Sequence, residues 1–146
     1  MKEISIEEIE VTSTDYQDLL QFRNKLLREP LGLNLFDEDL SGDSNDIILI
    51  AKEAGKIIGC VMLQPADDTT VKLRQMAVDA SLQGKGMGRI LVENAEEAAL
   101  QNGYKKIVLH ARRTAEGFYE KLGYRAYGDI FTEVNIPHIA MKKDLD

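Results

Sequence analysis

Apolar residues along the chain fall into short runs with two different periods. From Ile4 to Val11 they alternate, at Ile4, Ile6, Ile9 and Val11, which predicts a first strand. Ser13-Thr14-Asp15 then supplies capping side chains for a helix. Leu19, Leu20, Phe22, Leu26 and Leu27 form its apolar face, and Pro30 stops it. Residues 31–46 read as loop with one short helical turn. Ile47 to Ala51 and Ile57 to Leu63 are apolar runs separated by Glu53-Ala54-Gly55-Lys56, a β-hairpin signal. Asp67-Asp68 makes the next turn, and Val71 to Val78 the third strand of the meander. Beyond a glycine cluster, Ile90, Leu91, Ala95, Ala98 and Leu100 predict an amphipathic helix that ends at Asn102-Gly103. Ile107-Val108-Leu109 is a short buried strand. Phe118, Tyr119 and Leu122 mark a helix closed by Gly123, and 126–131 with 136–141 form a closing antiparallel pair. The crossover from the strand ending at Val78, through a helix, to Ile107 predicts a parallel pair within a mixed α/β sheet.

Length changes this picture little: 146 residues fit one domain, 1–146, with enough chain for a core. No apolar run approaches the ~20 residues of a membrane span, and Met1 to Ser5 lacks the apolar core of a signal peptide. A cytoplasmic protein with no membrane partner is the expectation. The one cysteine, Cys60, cannot form an internal disulfide, and within an apolar run it reads as a buried thiol. A net charge of −7 argues against a nucleic-acid partner, which calls for a basic surface. Acidity either steers cationic substrates or merely keeps the protein in solution. No CxxC or HExxH spacing is present, so no metal is indicated.

Chemistry concentrates at Gln83-Gly84-Lys85-Gly86-Met87-Gly88-Arg89, between a strand and a helix. N–H groups at a helix start lack intrahelical partners, and the helix dipole favours an anion there. Glycine lets a ligand approach the backbone, and Lys85 and Arg89 add positive charge. The segment reads as a pyrophosphate cradle, or else as a tight turn whose glycines serve geometry alone. A P-loop is excluded because Lys85 is followed by Gly86 rather than Ser or Thr. The dinucleotide fingerprint fails as well: from Gly84 its last glycine falls on Arg89, and from Gly86 on Leu91.

The spelling that fits is Gln/Arg-x-x-Gly-x-Gly/Ala, with Gln83, Gly86 and Gly88. Here the chain resembles the GNAT superfamily of N-acetyltransferases. Met76-Ala77-Val78 precedes the glycines at that superfamily's spacing. Ala115-x-x-Phe118-Tyr119-Glu120-Lys121-Leu122-Gly123-Tyr124 is similar to its second signature. Pro30 to Leu33 and Ile136 to Met141 are similar to its small bacterial members. The resemblance implies the acyl-CoA N-acyltransferase fold: α/β, with a mixed, mostly antiparallel central sheet whose parallel strand pair splays, flanked by helices. It implies acetyl-CoA as donor and a primary amine of a small molecule, peptide or protein as acceptor. A homodimer is a superfamily habit. Where many members carry Asn or Gln three residues before Ala115, this chain has Arg112, which is carried over as a contact to cofactor phosphate or pantetheine.

By the same resemblance, a backbone N–H near Met76 polarises the thioester carbonyl, and pantetheine completes the sheet bonds of Met76, Ala77 and Val78. The cofactor set is then those three residues, Gln83 through Arg89, Arg112, Ala115 and Phe118. Tyr119 is the implied acid for the CoA thiolate, although its spacing beside Phe118 alone reads as packing. His138 and Glu133 are the candidates for the base, each equally readable as a loop or core group, and many members deprotonate the amine through water. The competing class is a non-catalytic acyl-CoA-binding module, which would keep the cradle and lack an acceptor site.

Overall fold

A computed structural model of the chain describes residues 3–145. Ten regular elements follow in order: β1 (Ile4–Ile9), α1 (Asp15–Leu27), β2 (Ile47–Glu53), β3 (Lys56–Pro65), β4 (Thr70–Val78), α2 (Met87–Gln101), β5 (Lys106–Arg112), α3 (Glu116–Lys121), β6 (Arg125–Glu133) and β7 (Ile136–Asp144). Local chemistry sets several boundaries. Ser13 Oγ accepts the Asp15 N–H at 3.1 Å, and Asp15 and Asp18 occupy the positive first turn of α1. That helix ends three residues ahead of Pro30, which sits in a 3₁₀ turn closed by Gly32 at φ 72°. Beyond that turn, the segment read as loop with one helical turn holds two more, at Leu35–Asp37 and Ser41–Asn45. Ala54 and Gly55, at φ 54° and 77°, make the two-residue hairpin turn that matches strand twist.

The seven strands form one sheet in the order β1-β2-β3-β4-β5-β7-β6. Every neighbouring pair is antiparallel except β4 and β5. One face packs on α2 and α3 through Val71, Leu73, Leu91, Val92, Ile107 and Leu109. The other packs on α1 through Leu19, Leu20, Ile48, Ile50, Cys60 and Met62. On α2, Leu91, Ala95 and Ala98 point inward as predicted, joined by Val92 and Ala99. Ile90 and Leu100, expected on the same face, are 42% and 41% exposed. At about 100° per residue Ile90 falls to one side of the 91/95/98 stripe and Leu100 nearly opposite it. Cys60 is fully buried, and burial pushes its thiol up to about 12.

Two irregularities position the site. The parallel pairing of β4 with β5 runs only from Thr70/Lys106 to Leu73/Leu109. Past Leu73 the two strands share no further pairs, and a gap opens between them. On its other side β4 bulges: Cys60 pairs with Ala77 but Met62 with Arg74, so three steps of β4 face two of β3. Gln75 within the bulge has φ 55°, a left-handed conformation that is costly for a non-glycine residue.

Candidate functional site

The gap opens into a cavity of about 1020 Å³. Its walls include every residue predicted for cofactor or catalysis except Lys85 and Met87. Met87 is a core residue, 4% exposed, and offers the turn only its backbone. The reason is helical: Met87 is the first residue of α2 and shares the inward face with Leu91. Lys85 is exposed on the outer side of the turn.

On the α2 side the cavity is bounded by backbone. Gln83 Nε2 donates to the Val78 carbonyl at 3.3 Å, tying the turn to the end of β4. Gly84 and Gly86 adopt φ 80° and 84°, and a Cβ added at either would meet nothing within 4 Å. The turn therefore leaves open space where side chains would otherwise stand. No side chain caps α2, and its backbone bonds begin with Ile90 N–H to Gly86 O at 3.1 Å. The N–H groups of Met87, Gly88 and Arg89 lie ahead of that first bond. Gly88 is closely packed: a Cβ there would stand 3.2 Å from Phe118 Cζ and 3.3 Å from Met76 Cε, so those side chains would have to shift. Tyr119, on α3, is 7% exposed and packs edge-on against Phe118 and Tyr124. Burial pushes its phenol up to about 12.

On the α1 side the cavity is bounded by side chains. Val71, Leu73, Leu109 and Ala111 belong to the core against α2 and α3. Strand alternation therefore puts Lys72, Arg74, His110 and Arg112 on the opposite face. Arg112 stands opposite His138 in the β5–β7 register. That places the arginine on the histidine side of the gap, on the wall of the same cavity as the glycine turn. His138 is 5% exposed, with Nδ1 2.7 Å from the Ile136 carbonyl. A carbonyl only accepts, so Nδ1 carries the proton and Nε2 is the free nitrogen. Nε2 lies 3.8 Å from Glu133 Oε2, while Glu133 Oε1 lies 3.1 Å from His110 Nδ1. The ring of Phe131 packs against both imidazoles. Glu133 thus bridges both histidines of the chain. It is the last residue of β6 rather than part of the turn, which is made by Val134 and Asn135 at φ 45° and 63°. Among the described residues no group of His, Cys, Asp or Glu is arranged to hold a metal.

Two features escaped the sequence reading. His110 had no role assigned, although its alternate position in β5 signals the face it shares with Arg74. The second is a buried polar cluster under the bulge. Arg23, fully buried, donates from Nη1 to Asp43 Oδ2 at 2.8 Å and from Nε to Gln75 Oε1 at 3.3 Å. Tyr16 donates to the same Asp43 oxygen at 2.7 Å, and Cys60 Sγ to the Gln75 carbonyl at 3.1 Å. The strained Gln75 is therefore held through both its side chain and its backbone. Arg74 spans Asp43 and Asp46 at 3.7 and 3.5 Å. Burial raises the Asp46 carboxyl to about 6, against the pull of Arg74. The available signal was a charged residue at Arg23, four positions after Leu19 on the inward stripe of α1.

Splayed parallel strands beside a glycine turn, within this sheet order, define the acyl-CoA N-acyltransferase fold. The sequence profile of the acetyltransferase (GNAT) domain matches residues 10–145, and the chain belongs to that family. A Bacillus subtilis (strain 168) protein named as a candidate acetyltransferase is 30% identical over 141 residues, covering 91% of this chain and 94% of its own. Another from the same organism, YyaT, is 36% identical over 76 residues, and the chain spans about half of that relative, 51%. Among solved structures, a candidate N-acetyltransferase from Lactobacillus plantarum superposes with a TM-score of 0.87 at 24% identity, covering 97% of this chain and 98% of that one. A GNAT family acetyltransferase from Elizabethkingia anophelis, solved with acetyl-CoA bound, gives 0.70 at 24% identity, covering 97% and 98%.

Proposed function

We propose that the protein is an N-acetyltransferase that takes the acetyl group from acetyl-CoA and delivers it to a primary amine of a small molecule or peptide. The observation that carries this reading is the loss of β4–β5 pairing after Leu73 and Leu109, directly beside a helix start whose N–H groups are free. The residues present suit acetyl-CoA. The turn at Gly84 and Gly86 is open to a pyrophosphate, and the edge of β4 at Met76 to Val78 is open to an amide chain. When bound, acetyl-CoA supplies an activated thioester.

The chain's own groups then have distinct tasks. The Gln75 bulge redirects the backbone around Met76, whose N–H donates to the carbonyl that gains negative charge. Tyr119 keeps its proton throughout the working pH range, because its phenol lies well above a thiol at about 8.5. It stabilises the departing sulfur by donating a hydrogen bond, and full transfer of the proton is uphill. On the opposite side His138 Nε2 accepts the amine proton, directly or through water, and Glu133 steadies the resulting imidazolium.

The test is calorimetry with acetyl-CoA, followed by CoA release with a panel of amines. Micromolar binding and amine-dependent release are expected. Absence of heat at millimolar acetyl-CoA overturns the reading. Binding without release for any amine or peptide reduces the protein to an acyl-CoA-binding module.

A further inference from the structure

The cavity inverts the charge of the protein that surrounds it. The chain carries −7 overall, yet among the described residues the only carboxylate on the cavity wall is Glu133, against Arg28, Lys72, Arg74, Arg89 and Arg112. Three of these cations are matched by acids outside the wall. Arg28 pairs with Glu38 at 2.6 Å, Arg89 with Glu93 at 3.5 Å, and Arg74 with Asp43 and Asp46. Glu133 is itself engaged by His110. Among the described residues, Lys72 and Arg112 have no carboxylate partner.

Lys72 is the more telling of the two. It is half-buried, lies in the paired part of β4 between Gln64 and Val108, and stands at the closed end of the gap. A half-buried ammonium without a counter-ion gives up hydration for nothing in return. Arg74 is two residues further along the same strand face, but Asp43 and Asp46 offset its charge, so Lys72 carries the uncompensated charge of that part of the wall. A polycationic acceptor would meet this wall as like charge. An amine that also carries a carboxylate would place its anion at Lys72 and its nitrogen toward His138. Lys72 stands four residues ahead of Met76 on β4, with the bulge between them, so an acceptor that reaches both carries its carboxylate and its nitrogen on one skeleton.

We propose that the acceptor is a small amino acid-like amine whose carboxylate is held by Lys72, with Arg74 beside it. This rests on the acetyl-transfer reading for the chemistry, but the anion site can be read without turnover. CoA-loaded protein is titrated by calorimetry with N-acetylated amino acids and with the corresponding carboxamides. The free acids should bind at least 10-fold tighter. Lys72→Gln should bring the ratio to near one, and Lys72→Arg should restore most of it. Salt should weaken only the acids. Equal binding of acid and amide, binding of neither, or an unchanged ratio in Lys72→Gln overturns the proposal. CoA release with free amino acids, their amides and a polyamine is measured in parallel. The amino acids should show the highest kcat/KM, and preference for the polyamine overturns the proposal. Carboxylate binding that survives without CoA release from any amine sinks the transferase reading and leaves the anion site standing.

Discussion

The two sides of the cavity are built from different materials. The side toward α2 is main chain: free N–H groups, glycines at positive φ and an unpaired strand edge, gathered within a few residues of sequence. The side toward α1 is side chain: Lys72 and Arg74 from β4, His110 from β5, Glu133 from β6 and His138 from β7. A main-chain site binds what all members of a family share, because no substitution outside glycine easily alters it. A side-chain site assembled from several strands can change its ligand one residue at a time. On the proposed function, the common donor falls to one side and the particular acceptor to the other, and variants on the two sides should fail in different ways.

The largest effect is expected on the main-chain side. Gly86→Asp puts a carboxylate into the open space beside the α2 start and forces an L side chain into φ 84°. Aspartate tolerates that region at a cost of about 1–2 kcal/mol, so the protein should stay folded. Acetyl-CoA affinity should fall by at least roughly 100-fold through like charge at the phosphate position. Calorimetry measures the loss, with circular dichroism as the control for folding. Wild-type affinity in a folded variant would remove the glycine turn from the binding site.

Tyr119→Phe is next, and it separates chemistry from binding on the same side. The ring stays packed between Phe118 and Tyr124 and only the donor is lost. kcat should drop roughly 100-fold, within the usual range for such a group, with acetyl-CoA affinity nearly unchanged. Because the phenol sits at about 12, the wild-type profile should show no Tyr119 limb below pH 10. An unchanged kcat returns the residue to packing, provided pre-steady-state measurements show chemistry rather than product release limiting the rate.

The same contrast explains what the sequence disclosed. Element order, the hairpin turn at Ala54-Gly55 and the parallel crossover follow from local periodicity and turn residues, and all appear in the structure. The geometry of the glycine turn was legible because its residues are contiguous. The arrangement on the histidine side was not. Glu133 and His138 could be named only as alternatives, because their relation depends on which strand inserts between β5 and β6, and that is a matter of topology. Arg23, Asp43 and Gln75 lie 20 and 52 residues apart in the chain and meet only through packing of α1 on the β4 bulge. Neither the strain at Gln75 nor the paired acids behind Arg74 has a local signature. For Arg112, motif spacing fixes the position in the chain, while strand parity fixes the face.

His138→Ala tests the side-chain half. If Nε2 accepts the amine proton, kcat/KM should fall about 10-fold or more, and its rise with pH should lose the limb that histidine provides. Acetyl-CoA affinity should hold, in contrast to Gly86→Asp. A variant that loses thermal stability yet keeps the shape of its pH profile would make His138 an anchor for the β6–β7 turn through its bond to Ile136. If Glu133→Gln flattens the limb instead, the carboxylate is the base and His138 its support.

Asp46→Asn should have the smallest effect, and its sign is the informative part. The Asp46 side chain is fully buried, and burial holds its carboxyl at about 6, above the ordinary 3.8. Below the ordinary value both folded and unfolded chains are protonated there, and the group contributes nothing. Between about 4 and about 6 the folded state retains a proton that the unfolded chain has released. Stability from this group therefore declines as pH rises through that window, and the penalty persists above it. Glu38, Asp39, Asp67 and Asp79 act in the other direction, since their hydrogen bonds lower them, so wild type alone would not isolate Asp46. The difference between wild type and Asp46→Asn does. The variant should melt roughly 2–4 °C higher at pH 7.5, what about 1 kcal/mol gives in a chain of this length, and the gap should close by pH 4. The opposing contribution is the contact of Asp46 with Arg74, which keeps only the longer contact to Asp43 in the variant. If the variant instead melts lower at pH 7.5, that ion pair outweighs the burial of the carboxylate. The acceptor side would then stand on a charge cluster that stabilises the fold, and its specificity could not be altered at Arg74 without cost to folding.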